Sequence, residues 1–150
     1  MKQLEPWSSE VHLVTDTPGD RPVVWEWLHR SVNLPWSSDL KTIGAMRDDG
    51  TIATAVGYNA WTENACWMHV AFDSAHALTR KFWRAAFEYP FLTCGKDAIY
   101  GLTPKHLEDA LKMNDRLGFR RIAETVDCVM FEMRRDECRW IKEKEHGRKS

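Results

Sequence analysis

The chain is predicted to fold as a mixed α+β domain, a central and mostly antiparallel sheet of six to seven strands flanked by about four helices. Three observations carry that expectation. Asp48-Asp49-Gly50 is a strong hairpin signal between Lys41–Arg47 and Thr51–Tyr58, and β-branched residues alternate through the second of these runs. Apolar residues recur at helical spacing through Val24, Trp25, Leu28 and Val32, and again through Leu78, Phe82, Ala85, Ala86 and Tyr89. A third amphipathic stretch, Lys105 to Leu117, stops at Gly118, which takes the left-handed conformation that closes a helix at little cost.

The elements follow in order. Val11-His12-Leu13-Val14 is a short apolar run suited to a first strand. Thr17-Pro18-Gly19-Asp20 is a turn, and Pro22 suits the first position of the helix that carries Trp25 and Trp27. Leu34-Pro35-Trp36-Ser37-Ser38 ends that helix. A meander of three strands comes next: Lys41–Arg47, Thr51–Tyr58 and Ala65–Phe72. Asp73-Ser74 offers capping oxygens for a long second helix, whose last turn Pro90 weakens and Cys94-Gly95 releases. Then come a strand over 97–102, the helix 105–117, Phe119 dipping into a core, and strands over 120–126 and 128–133. The order is β, α, βββ, α, β, α, ββ.

Composition narrows the function classes. Of 150 residues, 43% are hydrophobic and 29% charged, the balance of a folded domain rather than a disordered chain. A net charge of −1 offers no general attraction to nucleic acid or anionic membrane, so neither is expected as a partner. Residues 141–150 read as a solvated tail in which Glu143 and Glu145 interrupt the basic residues. With no apolar run long enough to span a bilayer and no N-terminal export pattern, the expected location is the cytoplasm. Cys66, Cys94, Cys128 and Cys138 lack metal-ligand spacing and are expected as reduced, mostly buried thiols, with no metal site. No repeat or linker interrupts the chain, so one domain over 1–150 is expected.

The strand at 97–102, the short helix ending in Leu117-Gly118-Phe119 and the return strand resemble the C-terminal half of GCN5-related N-acetyltransferases. The resemblance extends over about residues 40 to 135. Two further strings, Leu78–Phe91 and Arg134–Trp140, are similar to a subgroup carried by tailed bacteriophages, for which the location is the host cytoplasm. The resemblance implies that the third meander strand and the strand near 97–102 splay apart. It implies acetyl-coenzyme A (acetyl-CoA) as co-substrate and an amine of a small molecule or protein as acceptor. A homodimer is one assembly it allows.

Site residues follow from the same resemblance. The pyrophosphate would meet backbone amides at the start of the long helix, with Val70, Ala71, Ser74, Ala77, Leu78, Thr79 and Arg80 around the cofactor. Val70 and Ala71 occupy the place where free backbone N–H groups polarise the acetyl carbonyl. His69 is the candidate base, since imidazole accepts a proton near neutral pH; the plain alternative is a core histidine. Asn114 stands where family members often carry an acidic tyrosine and is the second catalytic candidate. Asn59 and Trp25 are candidates for contacting the acceptor, with Trp27 and Trp36 nearby; Trp67, Trp83 and Trp140 read as packing.

Three departures stand against the family pattern. The segment Asp73–Arg80 has no glycine, Asp73 has the wrong sign for a phosphate, and the asparagine usual at position 107 is Leu107. They keep a second reading open: a catalytically degenerate scaffold that serves as a virion-associated or host-interacting binding protein.

Overall fold

The computed structural model describes residues 11–141. Seven strands form one sheet in the order β1-β2-β3-β4-β5-β7-β6. These are β1 (His12–Val14), β2 (Lys41–Met46), β3 (Ile52–Asn59), β4 (Ala65–Phe72), β5 (Ala98–Pro104), β6 (Arg120–Glu124) and β7 (Cys128–Arg134). The helices are α1 (Val23–Val32), α2 (Arg80–Glu88) and α3 (Glu108–Leu117), and Arg139–Ile141 begin a further helical turn. The expected element order is observed throughout. The described chain packs as two compact units, one holding the residues through Asn59 with His69–Trp83, the other Ala60–Met68 with the residues from Arg84 onward.

In the first unit, α1 lies on β2 and β3 with Val24 and Leu28 fully buried, joined in one core by Leu34, Ile52, Ala55 and Ala71. Burying each Leu contributes about 1.5–3 kcal/mol. The helix approaches closely because two strand positions lack side chains. A Cβ on Gly44 would meet both methyls of Val24 at 3.2 Å, and one on Gly57 would meet Leu34 at 2.9 Å and Leu28 at 3.2 Å. Pro22 sits at the N-cap of α1 rather than inside it and contributes no side-chain cap. That role falls to Asp16, whose two carboxylate oxygens accept the backbone N–H groups of Val24 at 2.9 Å and Trp25 at 2.8 Å. Asn33 closes the helix in the left-handed region at φ 58°, its N–H returning to the His29 carbonyl at 2.9 Å.

The second unit is built on β5 and β7, antiparallel over seven pairs from Ala98↔Arg134 to Pro104↔Cys128. β4 pairs in parallel with β5 at Ala65↔Ala98, Cys66↔Ile99 and Trp67↔Tyr100, and both strands continue past that ladder. Gly118 ends α3 at φ 109°, as its position in sequence required, and Phe119 turns inward. The Phe119 ring lies 5.9 Å from Phe87 and 6.3 Å from Phe131, while Trp140 stacks on Phe87 at 6.2 Å. Strand β6 is exposed along its length and carries Arg120, Arg121 and Glu124, charges that suit an unpaired sheet edge.

Several boundaries differ from expectation. The second helix starts at Arg80, not at Asp73-Ser74; a separate 3-10 turn, Ala75–Ala77, comes first. Tyr89–Thr93 form a π turn, because Pro90 has no N–H with which to continue the α ladder. Helix α3 begins at Glu108, and Leu107 ahead of it is 44% exposed instead of lying on a buried face. Ile141, placed at the head of the solvated tail, is fully buried in the second unit; residues 142–150 lie outside the described ones. All four cysteines are free thiols, with Cys66 and Cys138 buried and Cys94 and Cys128 half-buried.

Candidate active site

The candidate residues on β4 and after it belong to the first unit, together with Asn59 and Trp25. His69 and Asn59, proposed separately from sequence, meet: His69 Nε2 is 2.9 Å from Asn59 Oδ1. An amide oxygen only accepts, so Nε2 carries the hydrogen and the lone pair of the neutral ring is assigned to Nδ1. Burial lowers the His69 pKa from the ordinary imidazole value of 6.5. The ring is therefore neutral, in a fixed tautomer, at pH 7. Strand alternation puts Asn59 on the same face as Gly57, which is the face covered by Leu28 and Leu34.

The segment after β4 is organised by its own hydroxyls. Ser74 accepts the His76 N–H at 3.2 Å and so caps the 3-10 turn. Thr79 accepts the Phe82 N–H at 3.1 Å, and its carbonyl accepts the Trp83 N–H at 3.0 Å, which starts α2. Each capping hydroxyl still has its own O–H to donate. Ala77 is buried and Leu78 half-buried beneath the turn, while Arg80 and Lys81 are exposed at the positive end of α2, with no acidic residue in the first turn. Neither cation has an ion-pair partner among the described residues, an arrangement that disfavours the helix end unless an anion is present. Asp73, of the wrong sign when read alone, is paired with Arg47 at 2.8 Å. Sequence reasoning missed that pair because 26 residues separate its members.

Val70 is half-buried and Ala71 buried in β4, and the Ala71 carbonyl accepts the Thr54 hydroxyl at 2.9 Å. Asn114 belongs to the second unit, where its Nδ2 donates to Thr103 Oγ1 at 2.9 Å and ties α3 to β5. Tyr100, in the same unit, donates its hydroxyl to Glu132 at 2.9 Å; that bond, with burial, raises its pKa from 10.0.

Trp25 lines a cleft of about 510 Å³ within the first unit, with Trp36, Leu40, Lys41, Asp16 and Asp20 among its walls. The Trp25 indole N–H donates to the Leu34 carbonyl at 3.0 Å, its ring stacks on His29 at 5.2 Å, and Trp36 meets it edge-on at 5.4 Å. Sequence placed Trp25 and Trp36 near an acceptor and Thr17–Asp20 in a turn, but gave no sign that this turn lines the same cleft. Trp67, Trp83 and Trp140 all pack against aromatic neighbours, as expected.

Among solved structures the chain is similar to the N-acetyltransferase PseH of Campylobacter jejuni in complex with acetyl coenzyme A. There the identity is 16% and the TM-score 0.55 over 73% of this chain and 74% of that one. A mutant of the spermidine N-acetyltransferase SpeG of Vibrio cholerae matches at TM-score 0.71 and 11% identity, over 91% of this chain and 99% of the other. A dodecameric structure of spermidine N-acetyltransferase from Vibrio cholerae matches at TM-score 0.68 and 11% identity, over 85% and 95% of the two chains. No protein-family model matches, and no curated protein matches by sequence. The fold is that of the GCN5-related N-acetyltransferases.

Proposed function

We propose that the chain is an N-acetyltransferase that transfers the acetyl group of acetyl-CoA to an amine. The observation that carries this reading is the His69–Asn59 pair on an N-acetyltransferase fold: a neutral imidazole with its tautomer fixed at 2.9 Å by an amide oxygen. Nδ1 accepts a proton from the ammonium acceptor, and the freed amine attacks the thioester carbonyl as the carbon–sulfur bond breaks. The coenzyme leaves as its thiolate, which takes up the second proton that the amine nitrogen loses on becoming an amide. The backbone N–H groups of Val70 and Ala71 polarise that carbonyl.

The glycine-free segment suits a pyrophosphate by other means. The Ser74 and Thr79 hydroxyls and the Arg80 and Lys81 cations, next to small Ala77 and to Leu78, supply the donors that glycine loops supply through backbone. Asp73 does not oppose the anion, because Arg47 neutralises it. Asn114 takes a positioning role, since an amide has no acidic proton and its nitrogen is engaged by Thr103. A tailed-bacteriophage origin and action in the host cytoplasm belong to the same proposal, on the strength of the strings 78–91 and 134–140.

Calorimetric and thermal-shift titration of the purified chain with acetyl-CoA tests it. Ligand at 100 times its dissociation constant adds about 2.7 kcal/mol of stability, and Arg80→Ala weakens the binding. No shift at millimolar acetyl-CoA refutes the enzymatic reading and leaves the fold as a binding scaffold.

A further inference from the structure

We propose that the cleft lined by Trp36 and the Thr17–Asp20 turn is a carbohydrate-binding site, separate from the acetyl-transfer residues, and that it takes a neutral mono- or disaccharide. The assignment does not rest on the acetyl-transfer reading. None of His69, Asn59, Val70 and Ala71 lines the cleft. Leu40 packs between it and the Gly57 face, with its Cδ1 3.4 Å from where a Gly57 Cβ would stand. At about 510 Å³ the cleft has the size of a small-molecule pocket.

The polar groups left for a ligand decide its class. Asp16 is engaged, since its oxygens accept the N–H groups of Val24 and Trp25 and the Thr42 hydroxyl at 3.0 Å. The Trp25 indole N–H is engaged by the Leu34 carbonyl. On the rim stand the Asp20 carboxylate, the Lys41 ammonium and the Thr17 and Ser38 hydroxyls, side-chain groups to which the described residues supply no hydrogen bond or ion pair. A cation uses Asp20 and is opposed by Lys41; an anion uses Lys41 and is opposed by both aspartates. An apolar guest desolvates all four groups without replacing their hydrogen bonds. A sugar hydroxyl donates and accepts at once, so a pyranose ring serves acid, base and hydroxyls together.

Trp36 supplies the platform. It is 57% exposed and meets Trp25 edge-on at 5.4 Å. The weakly positive C–H hydrogens on one face of a pyranose ring suit the negative face of an indole. Trp25 is itself fixed by stacking on His29 at 5.2 Å, so the aromatic wall needs little further ordering. The rim is ordered as well. The Asp20 N–H donates to the Thr17 carbonyl at 3.0 Å and the Leu40 N–H to the Ser37 carbonyl at 3.2 Å, which closes the turns that carry Thr17, Asp20 and Ser38.

Saturation-transfer NMR on the full chain tests the proposal, with glucose, galactose, mannose, N-acetylglucosamine, maltose and lactose as probes. Choline and glycine betaine are the charged comparators, because Asp16, Asp20 and Lys41 together leave the walls at a net negative charge. Acetyl-CoA is left out, so the outcome is independent of the transferase reading. The expected result is saturable, millimolar binding of a sugar, with transfer strongest to its ring C–H protons. Raising salt from about 0.05 to about 0.5 M changes the affinity by less than about twofold, since the ligand has no net charge. Trp36→Ala keeps the native Tm, because the ring is exposed, and weakens the sugar about tenfold or more. Asp20→Asn and Lys41→Met each weaken it about threefold or more. No saturable binding of any of these sugars at about 50 mM overturns the assignment, as does an affinity unchanged in Trp36→Ala. Tighter binding of choline or betaine than of every sugar also overturns it and gives the cleft to a charged ligand.

Discussion

Replacing Asn59 with Asp tests the role of His69 more sharply than deleting the histidine. The two side chains have nearly the same shape, so the oxygen 2.9 Å from Nε2 keeps its place while becoming anionic. Unit charges about 4 Å apart interact by about 4 kcal/mol at an effective dielectric near 20. His69 is half-buried, and screening reduces this to roughly 1.5–3 kcal/mol, which is about one to two pH units at 1.36 kcal/mol each. In the native chain burial lowers the His69 pKa from 6.5, so its stability contribution is full above 6.5 and is lost as pH falls through the folded-state value. Asn59→Asp moves that value upward. The variant therefore gains on the native protein toward acid pH, and the difference in Tm grows as pH is lowered from about 8 to about 5. The rise of kcat/KM that follows deprotonation of His69 moves to higher pH by the same one to two units or so. NMR titration of the imidazole in both proteins reads the shift directly. A His69 titration that stays in place, or moves down, would refute the pairing and with it the fixed tautomer.

Two stability predictions follow from the packing around α1. Gly57→Ala forces a methyl against Leu34, Leu28 and Leu40 at once, at 2.9, 3.2 and 3.4 Å, and costs about 1–3 kcal/mol in urea unfolding despite a smaller gain from the stiffer unfolded chain. A variant as stable as the native protein would mean that α1 does not press on β3. Asp16→Ala removes the acceptor for two backbone N–H groups and the buried Thr42 hydroxyl; a loss of about 2–3 kcal/mol is expected, partly restored by Asp16→Asn, and a loss under about 0.5 kcal/mol contradicts the capping role.

The fold was legible where local chemistry alone decides. Asp48-Asp49-Gly50 turned where it had to, Gly118 closed α3 at a positive φ, and Pro90 ended regular α geometry in a π turn. The start of α2 was misplaced because two capping residues, Ser74 and Thr79, lie five positions apart and either one can begin a helix; the first begins only a 3-10 turn. The cap of α1 was illegible for a different reason. Asp16 reaches its N–H partners across the intervening turn, and capping rules look only at adjacent positions.

The same distinction separates the parts of the candidate site. Residue type singled out His69 and Asn59, since only a few side chains accept protons or hold an imidazole, but their contact depends on a strand pairing that no spacing rule encodes. Asp73 shows the reverse error. Read along the chain it argues against an anion site; read across the sheet, with Arg47 at 2.8 Å, it holds a cation close to the residues that lead into α2. A missing glycine motif is therefore weak evidence against phosphate binding when hydroxyl donors, and cations without an ion-pair partner among the described residues, lie in the segment that replaces it. The binding free energy of acetyl-CoA, compared between the native chain and Arg80→Ala, decides whether those donors replace what glycine would have supplied.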